Sequence, residues 1–318
     1  MNAPAGMAAA QPVICIGNFT AGGTGKTPLA IWLAHHLTEQ GLSPVFLTRG
    51  FGSAVRRPTA VDLHMHQARD VGDEALLLAR AAPVMVSPDR IAGARAIAES
   101  DSGAGVIVMD DGLQNPALRK DFTIAVVDGA RGFGNGRVIP AGPLRAPLSA
   151  QLARTDVIVV NGRREDRDRI AALIEPAFTG PVLQASAEAI GDTAWLGGEQ
   201  VMAFAGIGNP DRFFRLLDQL GAVVVGKRRF ADHHAFTDQE AARLVADAQQ
   251  LGARLVTTEK DFVRISQSGA QADLRQHTRT LPIGLQFGSN DAATLLRRIS
   301  DTLARRLAPH QPPDCVSR

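Results

Sequence analysis

From residue 13 to residue 161 the chain alternates short, unbroken apolar runs with segments in which apolar residues recur every three or four positions. Unbroken runs suit strands buried on both faces, and the helical segments between them supply crossovers. The pattern therefore predicts a mostly parallel sheet with helices on both faces, an α/β fold. Strands are expected at 13–16, 45–48, 84–86, 106–109, 124–127 and 157–160, and helices at 27–40, 73–81 and 89–99. Gly41 stops the first helix, since glycine tolerates the left-handed residue that ends one. Over 128–147 the periodicity lapses into a stretch containing Gly132-Phe133-Gly134-Asn135-Gly136 and Pro140-Ala141-Gly142-Pro143-Leu144-Arg145. A loop of that length in a compact domain is functional or mobile.

After the charged run 163–169 the alternation restarts, with a strand at 201–205, a helix near 212–220, a strand at 223–225, a helix near 238–251 and a strand at 255–257. This predicts a second, smaller α/β domain. The boundary is placed between 180 and 198, dividing the chain into 1–185 and 186–318, and the Pro-rich tail from Pro309 is expected to fray.

Composition narrows the class. The 318 residues are 45% hydrophobic and 21% charged, with a net charge of +2, so no excess of one sign points to nucleic acid as a partner. Cys15 sits in an apolar run and Cys315 in a polar tail, which disfavours a disulfide and fits a reducing cytoplasm. Residues 1–11 lack the basic start of a signal peptide, and no later apolar run reaches the roughly 18 residues that span a bilayer. The expectation is a soluble chain, at most attached to a membrane surface. Arginine supplies nearly all the cations; Lys26, Lys120, Lys227 and Lys260 are the lysines, and the first lies in a glycine cluster.

That cluster carries the first chemistry. A strand ending near Gly17 runs into a glycine-rich turn, and Lys26-Thr27 opens a helix with Pro28 in its first turn, the context of a P-loop. Such a loop wraps phosphate in backbone N–H groups at a helix N-terminus. Thr20, Ala21, Gly22, Gly23, Thr24, Gly25, Lys26 and Thr27 are thus expected to hold ATP, with Lys26 on the β/γ-phosphates and Thr27 on Mg²⁺. One position departs from G-x-x-x-x-G-K-[ST]: Thr20 stands where glycine is usual.

Strand 106–109 ends in Asp110-Asp111, the arrangement by which a P-loop protein brings a carboxylate to the metal. A turn or helix cap would explain one acid there, but a pair less well. Asp73 and Glu74 open a helix, where either can simply complement the helix dipole. Asp73 is also a candidate base for an acceptor hydroxyl, and Glu74 a further candidate for the metal. Asp232-His233-His234 reads as a polar turn or, less readily, a metal site, with no cysteine or spaced third histidine to support zinc. Arg90 and Arg145 carry forks suited to phosphate, with a solvated surface arginine as the plain alternative.

Taken together these strings resemble the tetraacyldisaccharide 4'-kinase family of lipid A biosynthesis. The matching stretches include the Gly22–Pro28 loop, Thr48-Arg49-Gly50-Phe51-Gly52, Val71-Gly72-Asp73-Glu74, Ser87-Pro88-Asp89-Arg90 and Asp110-Asp111-Gly112-Leu113-Gln114. Further along come the glycine and proline strings of 132–145, Phe204-Ala205-Gly206-Ile207-Gly208-Asn209-Pro210, Asp232-His233-His234 and Thr257-Thr258-Glu259-Lys260-Asp261. The resemblance implies a P-loop kinase, cytoplasmic and peripheral to the inner membrane, that moves the γ-phosphate of ATP to the 4'-hydroxyl of a tetraacyl glucosamine disaccharide 1-phosphate, giving lipid IVA. It also implies that Asp73 is the general base, that His233 orients or activates it, and that Lys26, Thr27, Asp110 and Asp111 serve ATP and Mg²⁺. Arg90 and Arg145 are implied to hold phosphate or stabilise transferring charge.

Two features depart from the family's habit. Little chain precedes the first strand, so the usual apolar, basic N-terminal helix is expected to be missing: either the start codon is misassigned or another surface reaches the lipid. Ala146 stands where the family commonly has glutamate, a role left to Glu74 or Asp111 or dispensed with. Two other readings share these motifs: a partitioning-type regulatory ATPase, disfavoured because Ala21 replaces its signature lysine, and a kinase for a small or soluble sugar acceptor. The oligomeric state is not legible.

Overall fold

A computed structural model describes residues 6–100 and 102–307; Cys315 and the tail from Pro309 lie outside the described residues. The chain runs β1 (Val13–Gly17), α1 (Lys26–Glu39), β2 (Pro44–Thr48), β3 (Thr59–Ala60), α2 (Ala68–Val71), α3 (Asp73–Leu78), β4 (Val84–Val86) and α4 (Arg90–Glu99). It continues through β5 (Val106–Asp110), β6 (Phe122–Asp128), α5 (Leu148–Leu152), β7 (Val157–Asn161), α6 (Arg164–Ile174) and β8 (Val182–Ala189). Then follow β9 (Gln200–Ala205), α7 (Pro210–Gln219), β10 (Val223–Arg229), α8 (Asp238–Gln250), β11 (Arg254–Thr258), α9 (Glu259–Phe262), α10 (Gly269–His277) and β12 (Thr278–Leu281). The last elements are β13 (Ile283–Phe287) and α11 (Ser289–Leu307).

Two sheets organise these elements. A 9-stranded sheet has the order β13-β8-β7-β6-β1-β5-β2-β4-β3, parallel except at its two edges, where β13 and β3 pair antiparallel. A 4-stranded parallel sheet has the order β10-β9-β11-β12. The fold is the α/β arrangement that the alternation predicted. Every residue of β1, β2, β5, β6 and β7 is buried, because helices cover both faces. α1 lays Leu29, Ala30, Leu33, Ala34 and Leu37 on one face of the sheet against Ile14, Ile16, Phe46 and Val108. Each such leucine or isoleucine contributes about 1.5–3 kcal/mol by leaving water, which makes the base of the phosphate loop rigid.

The linear cut at 185/186 falls inside β8, and the chain does not part cleanly in two. β8 completes the large sheet, 194–281 builds the small lobe, and β13 with α11 returns to the large lobe. The returning helix buries Leu295, Ile299 and Leu303, a stripe of three residues spaced every fourth position, beyond the last element that the alternation predicted. The charged run 163–169 is no break either. It opens α6, where Asp166 Oδ2 accepts from the Arg163 backbone N–H at 3.1 Å and the buried residues are Ile170 and Ile174.

Candidate active site

β1 and its neighbours β5 and β6 set the site, because the chain leaves β1 at the centre of the sheet, where connections diverge to either side and a crevice opens at the strand ends. The phosphate loop leaves β1 there. Gly22 and Gly25 have φ of 101° and 99°, left-handed values that L side chains rarely adopt. Gly25 is the N-cap of α1, so Lys26 and Thr27 stand in its first turn as expected. A Cβ on Gly25 would lie 2.5 Å from Asn161 Nδ2, which donates to the Thr24 carbonyl at 3.0 Å. The loop is also sewn to 128–147. Ala21 N donates to the Pro143 carbonyl at 2.8 Å, Arg145 N to the Phe19 carbonyl at 2.8 Å, and Thr20 bridges Leu144. Thr20 thus makes a strand-like contact in place of the usual loop glycine.

The acids at the end of β5 divide their work. Asp111, held at φ 50°, accepts from Arg145 Nη1 with both oxygens, at 2.8 and 3.0 Å, and faces Lys26 Nζ at 3.6 Å. Burial tends to raise its pKa, but Lys26 and Arg145 outweigh it and hold the carboxyl below its ordinary value. Asp110 is buried, and among the described residues its Oδ1 has no hydrogen-bond partner. Burial pushes its pKa up to about 7, with Asp111 and Glu74 adding to the rise and Lys26 and Arg90 opposing it. Arg90 is buried as well, donating to the Ser87 carbonyl at 2.7 Å while its Nε finds no partner among the described residues. Burial lowers its pKa and Asp110 and Asp111 resist that, so the guanidinium belongs to the same charge cluster. Arg145 is therefore engaged with Asp111, whereas Arg90 keeps an unused donor.

The small lobe supplies the other wall, again from the ends of parallel strands. The loop after β9 brings Gly208 to Arg131, whose Nη2 donates to its carbonyl at 3.2 Å, and a Cβ on Gly208 would lie 3.7 Å from Gly23 N. The loop after β10 carries His233 at φ 59°, and its Nδ1 lies 3.1 Å from Asp73 Oδ2. After β11 come Lys260, which donates to Glu74 Oε1 at 3.0 Å and lies 3.3 Å from His233 Nε2, and Arg264, whose Nε donates to Asp73 Oδ2 at 2.6 Å. Asp73 is buried; burial would raise its pKa, but the His233 hydrogen bond and the charges of Arg264 and Lys260 hold it far below the usual carboxylate range.

The structure thus brings together Asp73 and His233, and Lys26, Asp110, Asp111, Arg90 and Arg145. Glu74 pairs with Lys260. Although Asp73, Glu74 and His233 offer ligand atoms within 4.8 Å of one another, the Lys260 ammonium already bonds two of them. Beside Asp73 opens a cavity of about 680 Å³, lined by Phe51, Leu63, Arg69, Arg80, His233 and Arg275 among others. Sequence reasoning singled out neither Lys260 nor Arg264. Lys260 lies within the Thr257–Asp261 string, and its scarcity as a lysine was the one signal for it.

A family model for Tetraacyldisaccharide-1-P 4'-kinase matches residues 3–303 of the sequence. The chain belongs to the tetraacyldisaccharide-1-P 4'-kinase family. Among curated relatives it is 47% identical over 306 residues to the tetraacyldisaccharide 4'-kinase of Nitrobacter winogradskyi, covering 94% of this chain and 88% of the relative. To the enzyme of the same name from Rhodopseudomonas palustris strain BisB5 it is 50% identical over 305 residues, covering 95% and 89%. A crystal structure of LpxK from Aquifex aeolicus in complex with ATP shares the fold, with a TM-score of 0.72 at 24% identity, covering 94% of this chain and 90% of that one. Membership in this kinase family agrees with the resemblance read from the motifs and removes the regulatory-ATPase rival.

Proposed function

We propose that this chain transfers the γ-phosphate of ATP to the 4'-hydroxyl of tetraacyldisaccharide 1-phosphate, forming lipid IVA, with Asp73 as the general base. The observation that carries the reading is the meeting of two half-sites. The phosphate loop and acid pair lie on the large lobe beside Asp73, and His233 reaches Asp73 from the small lobe at 3.1 Å. The loop N–H groups and Lys26 cradle the β- and γ-phosphates, and Arg90, which among the described residues has an unused donor and bonds no carboxylate, is suited to the transferring group.

The acid pair fits Mg²⁺. Thr27 and Asp110 would hold it, because Asp110 Oδ1 is buried without a donor among the described residues, whereas both oxygens of Asp111 already accept from Arg145. When bound, the ion neutralises charge developing on the phosphate oxygens. Glu74 serves Lys260 rather than the metal. Asp73 receives the proton of the acceptor hydroxyl as the oxygen attacks phosphorus. In that reading Asp73 trades strength as a base for a fixed position, since its neighbours keep it ionised. Of the two acids that could stand in for a glutamate at Ala146, Asp111 is the one that partners the neighbouring Arg145.

The acceptor carries four acyl chains and so resides in a bilayer, which places the chain at the cytoplasmic surface of the inner membrane, where ATP is available. Supporting this, Phe51 and Leu63 on the cavity wall are 62% and 44% exposed, with Met65 nearby at 78%. No helix among the described residues is long and apolar enough to cross a membrane. Incubation with labelled ATP and the disaccharide 1-phosphate in detergent tests the activity; absence of phosphorylated lipid beside a working positive control refutes it. Co-sedimentation with anionic vesicles tests the attachment, and a chain that stays in the supernatant counts against it.

A further inference from the structure

The proposed reaction uses Asp73 and His233, yet the most buried contact across the lobes is a third one. Arg264 is 5% exposed and its partner Asp73 4% exposed. The guanidinium is fixed from behind: Nη1 donates to the Gly206 carbonyl at 2.7 Å and to Asp261 Oδ1 at 2.9 Å. Asp261 is itself fully buried and held by Gly206 N at 3.0 Å and Thr258 Oγ1 at 2.7 Å. In front, Arg264 Nε donates to Asp73 Oδ2 at 2.6 Å, while its Nη2 lies against the same oxygen as an ion-pair contact without a hydrogen bond among the described residues.

His233 Nδ1 also reaches Oδ2. Lysine is only a donor, so Lys260 makes His233 Nε2 the acceptor and assigns the ring proton to Nδ1, which then donates to Asp73. Two donors, Arg264 Nε and His233 Nδ1, therefore converge on Oδ2, with the charge of Arg264 Nη2 beside it. Among the described residues Oδ1 accepts only the backbone N–H of Glu74, at 2.9 Å, and retains acceptor capacity.

We propose that Arg264 is a positioning residue for phosphoryl transfer: from the small lobe it clamps Oδ2 of Asp73 and leaves Oδ1 to receive the acceptor hydroxyl. The proposal rests on Asp73 being the base. It differs from a simple dyad in giving the larger share of orientation to Arg264. That side chain is locked by its own buried anchors, whereas His233 is 31% exposed and donates one bond. It also makes the orientation of the base depend on lobe closure, since the clamp and the carboxylate sit on different lobes.

The test compares Arg264→Ala, Arg264→Lys, Asp73→Asn and the Arg264→Ala/Asp73→Asn double variant in the full chain. Turnover is followed with Mg-ATP and the disaccharide 1-phosphate in detergent, and thermal unfolding and ATP affinity are measured alongside. Misplacing a reacting group by about 1 Å costs on the order of 10²-fold, so Arg264→Ala is expected to lower kcat by about that factor with KM for ATP within about twofold. Arg264→Lys restores charge and one donor but not the fork, and is expected to recover about tenfold of that loss. The double variant should be no slower than Asp73→Asn alone, as for residues acting as a unit.

A merely structural arginine would instead lower the unfolding temperature and ATP affinity together with kcat, which overturns the proposal. So does a folded Arg264→Ala within about twofold of wild type, an Arg264→Lys no faster than it, or losses that multiply in the double variant. If Arg264→Ala does not fold, Arg264→Lys decides alone: an intermediate kcat at unchanged KM for ATP supports the clamp, and wild-type turnover refutes it. Should Asp73→Asn retain turnover, the base assignment fails, an outcome distinct from failure of the clamp.

Discussion

Replacing Asp110 with asparagine should stabilise the ligand-free protein above neutral pH while abolishing phosphoryl transfer. The carboxyl is 3% exposed, its Oδ1 is without a donor among the described residues, and burial carries its pKa from 3.8 to about 7. Between those values the folded chain keeps a proton that the unfolded chain has released, so stability falls as pH rises through the window and levels off above it. Each pH unit is worth about 1.4 kcal/mol, which sets a ceiling of about 4 kcal/mol on what the neutral amide recovers. Water entering the cleft reduces this, and about 2 kcal/mol is the expected gain at about pH 8. Asp73 does not interfere: its pKa is depressed, so its contribution is complete above the unfolded value of 3.8 and is lost only as pH falls below it. Asp156 and Asp261 are displaced upward like Asp110, so the readout is the difference between variant and wild type rather than either slope alone. Urea unfolding from about pH 5 to about pH 8.5 should show the gap widening to about pH 7 and then holding. Mg-ATP should close or reverse the gap by stabilising wild type preferentially. A variant no more stable than wild type at about pH 8, or a gap indifferent to pH, would mean that the Asp110 charge is already compensated, and would remove the case for a cation there.

Three further outcomes are expected. Gly25→Ala puts a side chain at φ 99° with its Cβ 2.5 Å from Asn161 Nδ2; it should cost about 2–4 kcal/mol in urea unfolding and weaken ATP binding tenfold or more, and unchanged calorimetry would contradict the loop geometry. Asp73→Ala should lower kcat by on the order of 10²-fold or more with ATP binding largely intact, and near-normal turnover removes it as the base. Asp73→Ala/His233→Ala should be little worse than the worse single variant, and strictly additive losses would separate the two residues.

What the sequence disclosed and what it withheld follow from the range of the interactions concerned. Strand ends and helix starts were legible because their signals are local: β1, β4, β5 and β7 fall within a residue of expectation, and Gly25-Lys26-Thr27 opens a helix as its spacing requires. β8 was missed because its burial alternates irregularly beside the antiparallel β13, with which it pairs across roughly a hundred residues of chain. α6 was hidden by charge, since only Ile170 and Ile174 of that helix are buried. No local pattern states that the chain returns from the small lobe to complete the large sheet.

The same limit governs the site. Asp73 looked like an ordinary acid at a helix start, and by position alone it is one. Its character comes from groups 160 and 191 residues away, His233 and Arg264, which meet it because both sheets turn the ends of their parallel strands toward one cleft. Asp110 makes the converse case. Its place after a buried strand was plain in the sequence, but not that Arg145 would occupy both oxygens of Asp111 and leave Asp110 uncompensated. Two neighbouring carboxylates on one strand end are thus driven apart in pKa by what the rest of the chain brings to each. The one left short of charge is the one suited to a cation, and in the free protein that suitability costs stability.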